Sequence, residues 1–463
     1  MKTLRQFFWL LIPLTLLGVT GINSGLALVA VVVLWLGLHL LWRKNISPIL
    51  FFVFAYQWLQ ASVLIFKANY EGISIASLHT FNGQMTQAII LSLISLSFLA
   101  LGMRQGIGRG SLVNVAMLRA QVVEKPPEYW FKVFALFWII SILAPIGSTL
   151  IPGLRQVFLA FTGLKWAFFW VFTYAIFNRG NTPRKLWWIV FFSELVLSFG
   201  GFFSDFKTIL IVTLLAVIPA GVRLRPARLM GLVGLIAIAL YLGVVWTAVK
   251  DDYRRFLNKG ENAQVVLVGI NERYTYLTNA ITDLDSTTMR LAFDNMLDRI
   301  SYIGFFALVL DEVPARMDHE YGAVWGDAML RPFMPRIIFS GKSAINDSDF
   351  TSKYTGGNVV GEGDQATSIS IGYIGESYID FGHYLMMAPI FLLGLIYGKF
   401  YKWMCNYRNV QGVIGMGLAT SVLLPAAVLE TSITKLVGGL VVSALVAWLV
   451  ARLGTRYLRG FEQ

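Results

Sequence analysis

Thiols, imidazoles and charge are all scarce in this chain. A single cysteine, Cys405, excludes an internal disulfide and the multi-thiolate sets of zinc ribbons and iron–sulfur clusters. It reads as a small apolar filler near a helix end. The four histidines (His39, His79, His319, His383) are scattered, with no HExxH and no pair at ligand spacing, so no metal site and no cofactor is expected. Charged residues make up 14% of the 463, against roughly 25% in an ordinary soluble domain. What fills the chain instead is apolar: 56% hydrophobic residues, with 34 Phe, 14 Trp and 42 Gly, and a mean hydropathy of +0.65. A soluble protein this apolar could not cover its core with polar surface. The bilayer is its solvent, and Gly and Trp are abundant where helices pack closely and where headgroups begin.

Long apolar runs fall at about 6–21, 24–42, 47–66, 86–103, 130–151, 163–177, 186–203, 206–220, 229–249, 384–401, 411–428 and 433–451. The expected fold is an all-α polytopic membrane protein of about twelve spans, with a large, partly helical loop. Two runs, near 163 and 206, are short. With the N-terminus inside, the inner connections and tails carry about twenty Lys and Arg, and the short outer ones only Lys67, Arg155, Lys165, Lys207 and Lys435. That asymmetry places both termini in the cytoplasm and the segment 250–383 outside. Three parts follow: a bundle of about nine spans over 1–249, the outer loop 250–383, and about three spans over 384–463. Within the loop, Met289, Phe293, Met296, Ile300 and Ile303 recur at helical spacing, which predicts an amphipathic helix over 287–310 on the membrane or the bundle's outer rim. The Gly/Ser/Asn-rich stretch 340–368 reads as an irregular shaped loop. The net charge of +12 is a matter of membrane orientation here, not of nucleic acid.

Three motifs fail on inspection. Gly341-Lys342-Ser343 resembles the end of a phosphate loop, but Arg336 stands where its first glycine belongs. Asp283-Leu284-Asp285 is better read as a polar helix end than as a metal-binding pair. Gly106-Ile107-Gly108-Arg109-Gly110 has no preceding strand and so makes no dinucleotide site.

A constellation remains. Arg331, Arg336 and Lys342 lie among prolines and aromatics in the run 331–342. Asn346 and Asp347 follow, then a Ser/Ile/Gly run, then Glu376-Ser377-Tyr378-Ile379-Asp380-Phe381-Gly382 leading into a span. Prolines fix the backbone and lower the entropy lost in holding a cation in place. Lys207, in a tight turn with Ser204 and Asp205, can face a diphosphate at headgroup depth or simply snorkel. Glu194 sits inside a span, a functional candidate or a structurally partnered carboxylate. Arg299, near Tyr302, points at the same site or at headgroups. Fixed cations of this kind stabilise the charge that grows on a diphosphate leaving group, without a metal. A sugar-hydroxyl acceptor needs a base, for which Glu376, Asp380 and Asp347 are the candidates.

The pattern Pro335-Arg336-Ile337-Ile338-Phe339-x-Gly341-Lys342, then Asn346-Asp347, then Glu376-x-Tyr378-x-Asp380-Phe381-Gly382, resembles the Wzy-like oligosaccharide repeat-unit polymerases, which include the O-antigen and enterobacterial common antigen polymerases. The resemblance implies a bacterial inner-membrane glycosyltransferase with a metal-independent GT-C-type bundle and a large periplasmic loop. It implies transfer of a growing glycan from undecaprenyl diphosphate to the next lipid-linked unit. Arg336 and Glu376 would then be catalytic, and Arg331, Lys342, Lys207, Arg299, Asp347 and Tyr378 would bind substrate. Where relatives carry Gly-x-Arg at an outer turn, this chain has Lys207, which keeps the charge but not the bidentate fork. Implied partners are lipid-linked oligosaccharides, membrane lipids, a chain-length regulator and a repeat-unit flippase. The alternatives are an O-antigen ligase, which would use His319 or His383, and a transporter or flippase of lipid-linked glycans. His319, in Asp318-His319-Glu320, reads as a solvated turn.

Overall fold

A computed structural model gives the fold, describing residues 15–460 except 17, 19, 79–83, 111–114, 180–183, 200–205, 222–225, 261–265, 335–337, 340, 343–344, 358–368 and 408–411. All regular structure among the described residues is helical. Among the described residues six helices are long and apolar enough to cross a membrane: Ser24–Leu41, Ile49–Glu71, Met85–Ile107, Pro127–Leu150, Pro152–Asn178 (with a short 3-10 start) and Ile433–Leu453. A seventh candidate is a bent pair, Tyr373–Leu385 and Met387–Cys405, whose axes differ by 117°. Several expected runs form shorter helices. Lys185–Phe199 has 15 residues, and Phe206–Val217 and Gly412–Leu423 have 12 each, against the roughly 20 that a 30 Å apolar layer needs. The run expected at 163 lies in a helix that starts earlier, at Arg155. The first apolar run lies almost wholly outside the described residues.

The chain packs as two compact units. The first comprises Met1–Phe168, Ser301–Glu362 and Ser368–Gln463; the second comprises Phe169–Ile300 with Gly363–Thr367. In the first, Met85–Ile107 and Met387–Cys405 are the most intimately packed helices. The cause is a pair of small-xxx-small motifs. A Cβ on Gly102 would fall 2.1 Å from the Phe391 carbonyl oxygen, and one on Gly106 would fall 2.4 Å from that of Leu395. The reverse holds too, with Gly394 2.2 Å from the Leu99 carbonyl oxygen and Gly398 2.3 Å from that of Met103. The two backbones touch, which only glycine allows. Beyond Ile107, the Gly108 carbonyl accepts from Arg43 (2.6 Å) and Arg104 (2.7 Å), so the Gly106–Gly110 run is a helix end held by arginines.

In the second unit the amphipathic segment departs from expectation. One helix, Ser286–Ile300, ends there, and a separate helix, Gly304–Glu312, belongs to the first unit. The break has a cause: the Tyr302 N–H donates to the Gln60 carbonyl (3.3 Å) rather than to the turn before it. The apolar face of Ser286–Ile300 is partly covered, as a helix on a bundle's rim would be, with Phe293 left exposed. Ala292 and Met296 pack on Val244, with Met289 and Ile300 alongside, against the long helix Pro226–Leu257. Asp285 caps the helix start by accepting from the Thr288 N–H at 2.8 Å, as a polar helix end should.

Gly102→Ala and Gly394→Ala are each expected to cost about 1–3 kcal/mol, read as a fall in the thermal midpoint in detergent. Gly438→Ala, with nothing within 4 Å of the added carbon, should leave the midpoint unchanged or slightly raised. Unaltered midpoints in the first pair would rule out the backbone contact.

Candidate functional site

The site grows from a glutamine pair. Gln57 and Gln60 lie one turn apart on Ile49–Glu71, both buried. They face a place where the chain stops being helical. Gly412–Leu423 gives way to a 3-10 turn, Leu424–Ala427 with Pro425 inside it, and regular helix resumes only at Ile433. The glutamines satisfy the backbone left open there. Gln57 Nε2 donates to the Ala426 carbonyl (2.6 Å), and Gln60 Oε1 accepts from the Leu429 N–H (2.8 Å). Gln57 Oε1 also accepts from the Tyr373 hydroxyl at 2.7 Å.

Tyr373 opens the helix that carries most of the candidate residues. Before it, Gly372 has φ +89, and a Cβ there would lie 2.5 Å from the Leu429 carbonyl oxygen, so the two segments meet backbone to backbone. The Tyr373 N–H donates to the Thr431 carbonyl at 3.1 Å. One turn on, Glu376 is 2% exposed, and its Oε2 accepts from the Ile433 N–H at 2.8 Å. Ile433 is the first residue of the last helix, so Glu376 fills an open donor there. Asp347 joins it. Its Oδ1 accepts from the Ser432 hydroxyl (3.2 Å), and its Oδ2 pairs with Lys435 Nζ (2.6 Å). The Tyr302 hydroxyl donates to the Ser370 carbonyl. Burial, and then the nearby Glu430 carboxylate, push the Tyr302 phenol above its ordinary range, so it stays a donor.

Asp347 sits where an irregular loop was expected. It begins a helix, Asp347–Tyr354, capped by the Asn346 side chain and carrying Asp347 and Asp349 in its first turn. The far end of that helix is clamped. Lys353 Nζ lies 3.1 Å from Glu320 Oε1 and 2.8 Å from the Tyr354 hydroxyl, which itself donates to Glu320.

The other end of Tyr373–Leu385 makes a second cluster. Asp380 is enclosed and accepts from the N–H groups of Val324 (3.1 Å) and Trp325 (2.8 Å), capping the helix Ala323–Leu330. The Trp325 indole donates to Ser377 Oγ at 3.0 Å. Tyr378 donates to the Val313 carbonyl at 2.9 Å, and its ring packs edge-on against His319 (5.5 Å) and His383 (5.0 Å). His319 is therefore not a solvated turn: it is half-buried, with Nδ1 3.1 Å from the Ile379 carbonyl oxygen. The helix breaks at Gly382, where φ is 67 and ψ is −168, a conformation that favours glycine. Just past the break, His383 and Tyr384 edge an almost wholly apolar groove of about 840 Å³, walled by Leu91, Ile94 and Phe98 on one side and Met387 and Phe391 on the other.

Glu376, Asp347, Tyr378 and Asp380 thus come together in the first unit. Arg336 lies outside the described residues. Arg331 pairs with Asp327, and Lys342 Nζ donates to the carbonyls of Arg331 (2.6 Å) and Met334 (3.0 Å), folding its own loop. Lys207 and Arg299, both exposed, and the buried Glu194 belong to the second unit. Sequence reasoning counted Lys435 only as an outer cation and passed over Gln57, Gln60 and Ser432. The available signal was two amides at helical spacing inside an apolar span, where polar side chains are rarely idle.

The chain belongs to the family described as Domain of unknown function (DUF8712), whose family model matches residues 109–422. No curated protein and no solved structure matches it.

The Glu320–Lys353–Tyr354 clamp makes a pH prediction. The hydrogen bond from Tyr354, then that from Lys353, holds the Glu320 carboxyl below its ordinary value. The stability it contributes is lost only as pH falls through that depressed value. The Tyr354 hydroxyl, with Glu320, holds the Lys353 ammonium above its ordinary value, so its contribution is lost only as pH rises through the raised one. Hydrogen-exchange protection factors of Asp347–Tyr354 should be flat between about pH 5 and 9 and drop in Glu320→Gln. A step near neutral pH in the unsubstituted protein would refute the clamp.

Proposed function

We propose that this chain is a Wzy-like repeat-unit polymerase, a glycosyltransferase of a bacterial inner membrane with about twelve spans, cytoplasmic termini and its large loop in the periplasm. The observation that carries this reading is one short helix, Tyr373–Leu385, with two different ends. Near one end is a carboxylate cluster, Glu376 with Asp347; at the other, His383 and Tyr384 edge the apolar groove. A lipid-linked glycan needs both: a place for a hydrocarbon tail and, within a helix length, groups that handle a hydroxyl proton.

In the proposed reaction the acceptor hydroxyl oxygen bonds to the anomeric carbon of the growing chain. The bond from that carbon to the diphosphate oxygen breaks, and undecaprenyl diphosphate leaves with the electron pair. The hydroxyl proton passes to a carboxylate, for which Glu376 is the candidate. Arg336 would stabilise the leaving charge, with no metal required. A repeat-unit flippase would supply the substrate, and a chain-length regulator would act beside it.

One observation favours a second reading, an O-antigen ligase: His319 and His383 flank Tyr378.

Glu376→Gln separates capping from chemistry. A glutamine carbonyl can still accept from the Ile433 N–H, but the side chain can no longer take up a proton. In a host lacking the native gene, Glu376→Gln and Arg336→Ala should each insert normally and abolish polymer, with single lipid-linked units accumulating. A loss of about 100-fold or more is expected where general base catalysis is removed. Normal-length polymer from Arg336→Ala would sink the reading. Polymer from Glu376→Gln alone would assign that carboxylate to capping. Loss of single-unit transfer to a final acceptor, with polymer intact, in His319→Ala would favour the ligase.

A further inference from the structure

Two cations of the stretch after Gly322 are tied to the chain itself: Arg331 to the exposed Asp327, and Lys342 to the carbonyls of Arg331 and Met334. The Arg331 carbonyl opens the 3-10 turn Arg331–Phe333 and also accepts from the Met334 N–H, and the Met334 carbonyl follows the turn, so the lysine ties its two ends together. The large apolar side chains of the stretch are turned outward. Leu330 is 64% exposed, and Phe333 and Ile338 are 73% exposed, with Met329, Met334 and Phe339 also open. Exposed large apolar side chains in this number mark an interaction surface.

Its neighbour says what covers it. Ala323–Leu330 and Arg331–Phe333 both pack along the last helix, which is one of the candidate spans. That helix exposes its own apolar side chains, Leu445 at 52% and Leu453 at 52%, as a lipid-facing helix does. Irregular backbone enters the apolar layer only where its polar groups are satisfied from within, and Lys342 and Asp380 do that on either side of this segment.

We infer that 329–334 and 338–339 lie in the bilayer beside the last helix, as a non-spanning membrane-embedded element rather than part of a water-filled loop. The partner is the hydrocarbon edge of the lipid, and the inference goes beyond any particular chemistry of the site. Single cysteines at 330, 333 and 338, with 349 as an exposed polar control, can be placed in a Cys405→Ala background, since Cys405 is the chain's one cysteine. Each is labelled with bimane and reconstituted in phosphatidylcholine vesicles. A nitroxide on the lipid chain should quench 330, 333 and 338 several-fold more than 349, and iodide in the water should do the reverse. Iodide quenching of 333 equal to that of 349 would overturn the inference. So would protection from both quenchers with disulfide cross-linking at 333 between copies, which would mark a protein interface. Should the labelled variants misfold, a diazirine-bearing phosphatidylcholine photolysed with the unmodified protein gives the same answer. Adducts on the peptide holding 329–334 support embedding, and adducts confined to the spanning helices refute it.

Discussion

A helix that stops inside an apolar layer leaves N–H and C=O groups with nowhere to go, and each orphan costs several kcal/mol there. The last part of this chain stops twice, after Leu423 and at Gly382. Gln57 and Gln60 resolve the first break. An amide carries a donor and an acceptor on separate atoms of one uncharged side chain, so a single glutamine can serve two partners at once. Two of them one turn apart cover a carbonyl, an N–H and the Tyr373 hydroxyl together. The position of Tyr373–Leu385, and of every candidate residue on it, rests on that pairing. Replacing either amide by leucine would exchange a satisfied backbone for a buried orphan, which is the costlier side of the hydrogen-bond asymmetry.

The same helix then serves as a capping device. Glu376 and Asp380 are four residues apart, hence near neighbours along the helix surface, and each accepts from the start of a different helix. Helix starts offer open N–H groups and a positive dipole end, so a carboxylate arriving from elsewhere is held by both. Glu376 and Asp347 keep their shared corner viable because their demands are divided. Glu376 takes a backbone donor, while Asp347 takes a hydroxyl and the Lys435 ammonium. A lysine 44% exposed beside a carboxylate 5% exposed is a partly screened pair, so its worth lies more in fixing the loop than in Coulomb energy.

How much of this was legible follows from the kind of signal each feature leaves. Apolar runs announce helices well, and the small-xxx-small spacing at Gly102–Gly106 and Gly394–Gly398 was open to reading as a contact. Carboxylates at 347, 376 and 380 stood out because acids are rare in such a chain. What they bond to did not, since Ile433, Val324 and Trp325 contribute backbone, and backbone has no signature in sequence. The break at Tyr302 was hidden for the same reason: an unbroken apolar period runs through it, and tertiary hydrogen bonds overrule the period. The cations at 331 and 342 looked poised for a ligand because sequence shows charge but not the carbonyls and carboxylate that already occupy them.

The reach of the family match sharpens what the site is made of. Residues 109–422 contain Asp347, Glu376, Tyr378, Asp380 and His383, and so every candidate side chain on the bent helix. They do not contain Ser432, Ile433 or Lys435, which hold Glu376 and Asp347, or Gln57 and Gln60, which brace the start of the bent helix. Asp380 and Tyr378 find their partners inside the match, but the Glu376–Asp347 corner is completed from outside it. A segment cut to the matched region would keep Glu376 but lose the N–H it accepts from, leaving a buried carboxylate short of a partner. That is a strong reason for the flanking helices to be inseparable from the site, whatever substrate reaches it: they supply the donors that make burying those acids tolerable.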